Sequence, residues 1–84
     1  MEEVLIGKVV HYFGHLEVAA IVLSAELKIG DTIHVKGHVT DFVQKVESIQ
    51  AEHLVLDKAK AGDNIGIKVK NHAREHDFVY KVVG

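Results

Sequence analysis

Two Gly-Asp phrases, each directly before an alternating run of apolar and polar residues, constrain the fold of this chain more than any other feature. Gly30-Asp31 precedes Thr32–Lys36, and Gly62-Asp63 precedes Asn64–Lys70. Glycine adopts a positive φ without strain, and an aspartate side chain accepts hydrogen bonds from nearby backbone N–H groups. Apolar and polar residues that alternate are typical of a strand with one buried face. Each phrase therefore predicts a tight turn that leads into a β-strand.

Similar runs fill most of the chain and predict about seven short strands with no helix. The runs are rich in β-branched and aromatic residues and are separated by turn residues. The chain contains no proline, so each strand is free to pair on both sides. The predicted strands are Val4–Phe13, Leu16–Ser24, Thr32–Lys36, Asp41–Gln50, His53–Asp57, Asn64–Lys70 and Phe78–Val83.

The length of the chain limits how these strands can be arranged. With 84 residues and no cysteine, a single domain over residues 1–84 must be held together by its hydrophobic core alone. Closing a sheet on itself buries that core and removes exposed strand edges. We therefore expect an all-β fold, a small closed antiparallel β-barrel of about six to seven strands.

Two positions depart from the simple strand pattern. Gly66 lies inside a predicted strand, where glycine marks a bulge, a sharp bend, or the close approach of a ligand or another backbone. Val43, Val46 and Ile49 recur every three residues within Asp41–Gln50. This spacing predicts a bulge or a strong bend in that strand.

The segment Ser48–Asn71 resembles the second, β-barrel domain of the translation elongation factors Tu and one-alpha. That family carries the pattern Ala-x-x-Gly-Asp/Glu-Asn-Val/Ile-Gly, which fits Ala59–Gly66 without a gap. Leu27–Gly37 and Phe78–Val82 are similar to further strands of the same domain. The resemblance implies a barrel like domain two of translation factors, and a non-enzymatic binding module that contacts RNA or the ribosome.

The resemblance also indicates what this chain lacks. The family's barrel stands beside a GTPase domain, but no Gly-x-x-x-x-Gly-Lys-Ser/Thr loop is present, so we expect no GTP binding by this chain alone. Gln50 occupies the acidic position that contacts the terminal adenosine of tRNA in the family. Leu23–Glu26 stands where the family has a Gly-Arg-Val-type stretch. We therefore expect the pocket for the tRNA end to be incomplete.

The candidate RNA-binding surface is a basic cluster near the end of the chain. Lys68 and Lys70 are two residues apart on one predicted strand and should share a face. A net charge of −2 does not by itself indicate nucleic-acid binding, and an ordinary solvated surface is the alternative. The predicted RNA-binding residues are Lys68, Lys70, His72, Arg74 and Gln50.

The alternative function is protein–protein interaction or that of an accessory domain of an unknown partner. Val18–Leu23 is apolar on both faces of its predicted strand, so a protein partner or a second copy of the chain would cover the outer face. By resemblance, barrels of this kind also occur at the C-terminal end of some peptidases.

The phenylalanines Phe13, Phe42 and Phe78 are predicted to lie in the core.

Seven histidines raise the question of a metal site, but their arrangement does not favour one. A metal site needs three or four converging ligands, whereas six of the seven histidines form three pairs that span predicted turns or loops. Neither serine lies in a Gly-x-Ser-x-Gly elbow. We therefore expect no metal, no cofactor, no catalytic residue and no enzymatic activity. The pairs are His11/His15, His34/His38 and His72/His76.

The sequence also bears on location. No segment reaches the roughly 18 apolar residues of a membrane span, and the Met-Glu-Glu start lacks the basic region of a signal peptide. We therefore expect a cytoplasmic protein without a membrane partner.

Overall fold

The computed structural model describes residues 2–83, which form ten β-strands and no helix. The connections between the strands have four or fewer residues, except for the nine-residue loop 69–77 between the last two strands. The strands are β1 (Glu2–Phe13), β2 (Val18–Leu23), β3 (Leu27–Lys28), β4 (Thr32–Lys36), β5 (Asp41–Lys45), β6 (Ile49–Ala51), β7 (Leu54–Leu56), β8 (Lys58–Ala59), β9 (Asn64–Lys68) and β10 (Phe78–Val83).

Eight strands form one antiparallel sheet in the order β5-β4-β10-β1-β2-β9-β6-β7, while β3 pairs with β8 in a two-stranded sheet. The register of β1 shifts between Leu5 and Gly7 against β10, and between Val9 and His11 against β2. Such shifts increase the local bend and twist of a strand. The all-β, antiparallel prediction is confirmed. Within residues 2–83 no strand pairing joins the two edges, β5 and β7, so a closed barrel is not found.

A single hydrophobic core holds both sheets together. On β4 the side chains of Ile33 and Val35 are fully buried while Lys36 is exposed, as the alternating sequence predicts. Leu27 and Ala59 bring the two-stranded sheet onto the same core. Burying each large aliphatic side chain contributes about 1.5–3 kcal/mol to folding, and this core carries the stability of a chain without disulfides.

Both Gly-Asp phrases form the predicted tight turns. Gly30 has a φ of 96°, and the Asp31 carboxylate accepts the backbone N–H of Lys28 at 3.0 Å. The second phrase repeats this geometry, with a φ of 92° at Gly62 and a 3.0 Å bond from a backbone N–H to Asp63. The aspartate thereby satisfies a backbone donor that the turn leaves without a strand partner.

The predicted strand Asp41–Gln50 is two strands, separated by residues 46–48. β5 ends before Val46, whose N–H donates to the carbonyl of Asp31 at 2.8 Å and whose carbonyl accepts the N–H of Gly30 at 2.9 Å. The next predicted strand begins one residue late, at Leu54. Glu52 and His53 have φ values of 50° and 69° and form the two-residue turn of the β6–β7 hairpin, which requires positive φ at both positions.

No helix within residues 2–83 has the length and apolar character that crossing a membrane requires.

Candidate functional site

The residues predicted to bind RNA do not form one cluster. Gln50 on β6 and Lys68 at the end of β9 line the same hollow. His72 and Arg74 line a different hollow with residues of β1. Lys70 lines neither, and its backbone N–H donates to the side chain of Gln44. All five predicted side chains are exposed, and their role as a binding site stays a prediction.

The loop that carries His72 and Arg74 is held to the end of β1 by aromatic contacts and a hydrogen bond. The ring of His72 lies over that of Tyr12, with centroids 4.4 Å apart and planes inclined by 31°. His11 contacts the carboxylate of Glu75 at 3.1 Å and meets Phe13 edge to face. These contacts occupy two of the seven histidines within the structure itself.

His34 on β4 contacts carboxylates from two other strands. Its Nδ1 lies 2.8 Å from a carboxylate oxygen of Glu3 on β1, and its Nε2 contacts the carboxylate of Asp41 on β5. Because each carboxylate accepts from a different ring nitrogen, the contacts are complete only when both nitrogens carry a proton. The same geometry excludes a shared metal, since the two carboxylates face opposite sides of the ring. Among residues 2–83 no group of three or more metal-ligating side chains converges.

The pKa of His34 is raised above its ordinary value, first by the hydrogen bond to Asp41 and then by that to Glu3, while burial opposes them. A raised folded-state pKa adds stability that is fully present below the unfolded-state value of about 6.5 and is lost as pH rises through the folded-state value. We expect His34→Gln to lower the free energy of unfolding more at about pH 6 than at about pH 9.

Urea titrations at the two pH values measure this difference. His38→Gln is the matched control, because His38 belongs to the same sequence pair but is exposed and outside these contacts. An equal loss of stability at both pH values for His34→Gln would contradict the doubly protonated state.

The outer face of the sheet carries an apolar surface that the sequence did not predict. Lys8 on β1 is flanked by Phe78 on β10 and Val22 on β2, all three pointing outward. The surrounding large side chains are 37–47% exposed, and they border a shallow hollow of about 460 Å³. We call this surface the β1 patch. It consists of Leu5, Val10, Val22 and Phe78 around Lys8.

The exposure of two phenylalanines corrects two predictions from the sequence. Phe78 and Phe13 are 44% and 45% exposed rather than in the core, and only Phe42 is buried. On β10 the register that buries Val79 turns Phe78 outward, because neighbouring residues of a strand point to opposite faces. The sequence signal for an exposed apolar surface was the pair of consecutive apolar residues Val4-Leu5. A strand with only one buried face does not account for two apolar residues in succession.

Val18–Leu23 is not a free partner surface. Ala19, Ile21 and Leu23 lie in the core, and Val18 and Ala20 are partly covered by their own chain. Val22 alone is exposed, as part of the β1 patch. The prediction of a protein partner or homo-oligomer through this segment is therefore corrected, because its second apolar face is small and mostly covered.

Comparison with known proteins gives relatives of one kind. The chain is 42% identical over 76 residues to an uncharacterized protease of Methanocaldococcus jannaschii, covering 89% of this chain and 19% of that protein. It is 39% identical over 82 residues to a collagenase of Porphyromonas gingivalis, covering 95% of this chain and 20% of that protein. The chain thus spans about a fifth of the length of these curated relatives. No protein-family model matches it.

The solved structures agree on the fold. The crystal structure of the C-terminal domain of a Geobacillus thermoleovorans putative U32 peptidase superposes with a TM-score of 0.88 at 23% identity, covering 94% of this chain and 92% of that one. The selenomethionine variant of that domain superposes with a TM-score of 0.85 at 23% identity, covering 89% and 95% of the two chains. The chain therefore has the fold of that C-terminal domain.

These findings correct the functional prediction. The chain is similar to proteins named as a protease and collagenases, and to a C-terminal peptidase domain, not to domain two of the elongation factors. A translation-factor-like module with RNA or the ribosome as its partner is therefore wrong. The expectation of no enzymatic activity is corrected for the same reason, since the relatives are named as a protease and a collagenase and the chain matches part of each.

Proposed function

We propose that this chain is a peptidase-associated β-domain, which acts as part of a U32-type peptidase and docks on its catalytic part through the β1 patch. The observation that carries the proposal is the β1 patch itself, an apolar surface with one cation on the outside of this fold. Exposed apolar patches rimmed by polar residues are typical of protein–protein contacts.

The relatives supply the occupant of the patch. They are about five times as long as this chain and are named as a protease and collagenases. In the Geobacillus protein the same fold is a C-terminal domain, so the rest of that protein precedes it. A preceding domain joins at the beginning of β1, where Leu5 of the patch lies three residues after Glu2. The proposal therefore requires a connection that brings the catalytic part beside the patch.

The chemistry of the patch defines its complement. Four exposed apolar side chains surround the single ammonium group of Lys8. A matching surface is apolar with one carboxylate, because an ammonium covered without an opposite charge is costly. Aromatic anchors carry much of the energy of such contacts, so Phe78 is the residue whose replacement weakens docking most.

The barrel predicted from the sequence is also proposed here, on the contacts that link distant strands. The side-chain amide of Gln44 on β5 donates to the carbonyl of Lys68 on β9 at 2.9 Å. The N–H of Gly30 donates to the carbonyl of Val46 at 2.9 Å, which ties the two-stranded sheet to the end of β5. These bonds support a wrapped, barrel-like sheet formed by a single domain over residues 1–84. The cytoplasmic location stays a prediction.

A domain replacement in Porphyromonas gingivalis collagenase tests the function. These 84 residues replace the matching 82-residue stretch of the collagenase. We expect the chimera to retain cleavage of collagen, and we expect the collagenase without this stretch to lose it. In the chimera, Phe78→Asp should reduce the cleavage rate at least about tenfold, the loss typical of an interface anchor.

The control is Val55→Asp, which puts the same charge at a side chain 78% exposed on β7, outside the β1 patch. It should leave cleavage unchanged. Circular dichroism of the isolated variants confirms that each is folded. A folded chimera that is as inactive as the deletion would refute the proposed function, and equal losses for both aspartate variants would refute the docking surface.

A further inference from the structure

Gly66 forms the floor of a small hollow on the outer face of the β2–β9 pair. The register between these strands is continuous, with Gly66 opposite Ala20 and Lys68 opposite Val18. The bulge that a strand glycine often marks is therefore absent from this ladder. On its other side Gly66 pairs with Gln50 of β6. Of the three interpretations of Gly66 from the sequence, close approach of a ligand is the one that an open hollow supports.

Five side chains surround the hollow: one is charged, two are polar and two are apolar. Lys68 supplies an ammonium group, Ser48 a hydroxyl and Gln50 an amide, while Leu16 and Val18 form the apolar side. The four ion pairs among residues 2–83 all involve other basic side chains. The ammonium group of Lys68 is therefore available to an external anion.

The size of the hollow limits its ligand. It measures about 220 Å³, whereas sites for drug-sized ligands have about 300–1,000 Å³. A single amino-acid residue fits, and a long peptide segment does not. A carboxylate suits the polar wall, because the ammonium, hydroxyl and amide groups can all donate to its two oxygens.

The rim of the hollow is held by backbone and side-chain bonds. The side-chain amide of Gln44 bonds to both residues that flank Val69. It donates to the carbonyl of Lys68 at 2.9 Å and accepts the N–H of Lys70 at 2.8 Å. The N–H of Val69 donates to the carbonyl of Glu17 at 2.9 Å, and Glu17 itself has a φ of 56°. A non-glycine residue in this region is strained and is held by its surroundings. The wall that carries Leu16 is thereby fixed next to Lys68.

We propose that this hollow binds the C-terminal residue of a peptide, with its free carboxylate at Lys68, Ser48 and Gln50 and its apolar side chain against Leu16 and Val18. The choice of a peptide rests on the proposed function, because cleavage of a peptide bond leaves a new C-terminal carboxylate. The domain then holds the carboxyl end of a substrate or product beside the catalytic part.

Nuclear magnetic resonance titration of the isolated 15N-labelled chain tests the proposal. The probes are N-acetyl-Gly-Leu with a free carboxylate, the same peptide as its C-terminal amide, and sodium acetate. We expect the free acid to shift the amide signals of Gly66, Lys68 and Gln50 with a dissociation constant of about 1 mM, the range of a single-residue contact. The amide and acetate should bind at least about tenfold more weakly.

Two pairs of variants locate the binding. Lys68→Gln should weaken binding of the free acid about tenfold through loss of one charge-assisted contact, whereas Lys70→Gln should not. Gly66→Ala should also weaken it, because the added Cβ occupies the floor of the hollow, 3.1 Å from a methyl of Val18. The control is Gly14→Ala, where the nearest atom lies 3.9 Å away.

Several outcomes would overturn the proposal. These are absence of shifts at millimolar free acid, equal binding of the amide or of acetate, and equal loss in the Lys68→Gln and Lys70→Gln variants. The collagenase chimera is a separate measurement. If the chimera is active and the peptide does not bind, this inference alone fails. If the peptide binds and the chimera is inactive, the peptidase assignment fails while the carboxylate site stands.

Discussion

Replacing Gly37 with alanine will lower the free energy of unfolding by about 3 kcal/mol, since a buried polar contact must break to accommodate one methyl group. The added Cβ would lie 1.8 Å from Oδ1 and 2.6 Å from Cγ of Asp77. Asp77 is only 4% exposed, and its other oxygen accepts the N–H of Arg74 at 2.8 Å. The carboxylate therefore has to leave its site, and the backbone N–H of Arg74 loses its hydrogen-bond acceptor. Urea unfolding measures the change.

Two further variants establish the cause of the Gly37→Ala loss. Gly14→Ala, with no atom nearer than 3.9 Å, should change stability by less than about 0.5 kcal/mol. In an Asp77→Ala background, Gly37→Ala should cost much less than it does alone, because the clashing carboxylate has gone. Equal costs in the two backgrounds would contradict this explanation.

Replacing Gln44 with leucine will lower the free energy of unfolding by about 2–3 kcal/mol, although leucine has a similar size. Gln44 is 6% exposed on β5, and its amide bonds both the carbonyl of Lys68 and the N–H of Lys70. Leucine leaves these backbone groups without a partner, and unsatisfied polar groups cost more than a hydrogen bond contributes. Chemical denaturation of the purified variant measures the change.

Gln50→Leu is the matched control for Gln44→Leu. Its side chain is exposed on β6 and bonds no backbone group in the part of the chain that the structure describes. This substitution should leave stability within about 0.5 kcal/mol of the parent. A comparable loss in both variants would contradict the bridge between β5 and β9 and remove the main support for a wrapped sheet.

The turns of this fold show what sequence patterns can predict. Gly30-Asp31 and Gly62-Asp63 were predictable because glycine marks the positive φ. A third turn has the same geometry, with Asp77 accepting the N–H of Arg74 and a φ of 76° at His76. Its positive φ was not predictable, because histidine stands where the other two turns have glycine. The φ of that residue is imposed by contacts of the folded chain, which local sequence does not report.

The faces of the strands were predictable only where alternation is unbroken. On β4 the pattern assigned Ile33 and Val35 to the core correctly. On β1 the register shifts at two places, so a bulge moves the following residues to the other face. The β1 patch arises from this strand and from Phe78, whose aromatic character suggested the core. Its position depends on pairing between strands far apart in the sequence.

The residues that resemble the elongation factors build the fold of this chain and do not form a functional site of that family. Within Ala59–Gly66, Gly62 and Asp63 build a turn, Ile65 enters the core, and Gly66 leaves the outer face open. Such a phrase indicates a turn and a strand in an all-β fold, and unrelated functions can share it. The hollow at Gly66 could be anticipated from the sequence, whereas its walls at Leu16 and Ser48 required the fold.

Hydroxyl-radical footprinting tests the central claim most directly, because it reports the exposure of individual side chains. The isolated chain is compared with the same chain within the collagenase chimera. We predict that Phe78 and Leu5 lose most of their labelling in the chimera, since the catalytic part covers the β1 patch. Leu16 and Leu54, both 62% exposed outside the patch, should keep theirs. Unchanged labelling of Phe78 and Leu5 in a folded chimera would contradict docking of a peptidase through this surface.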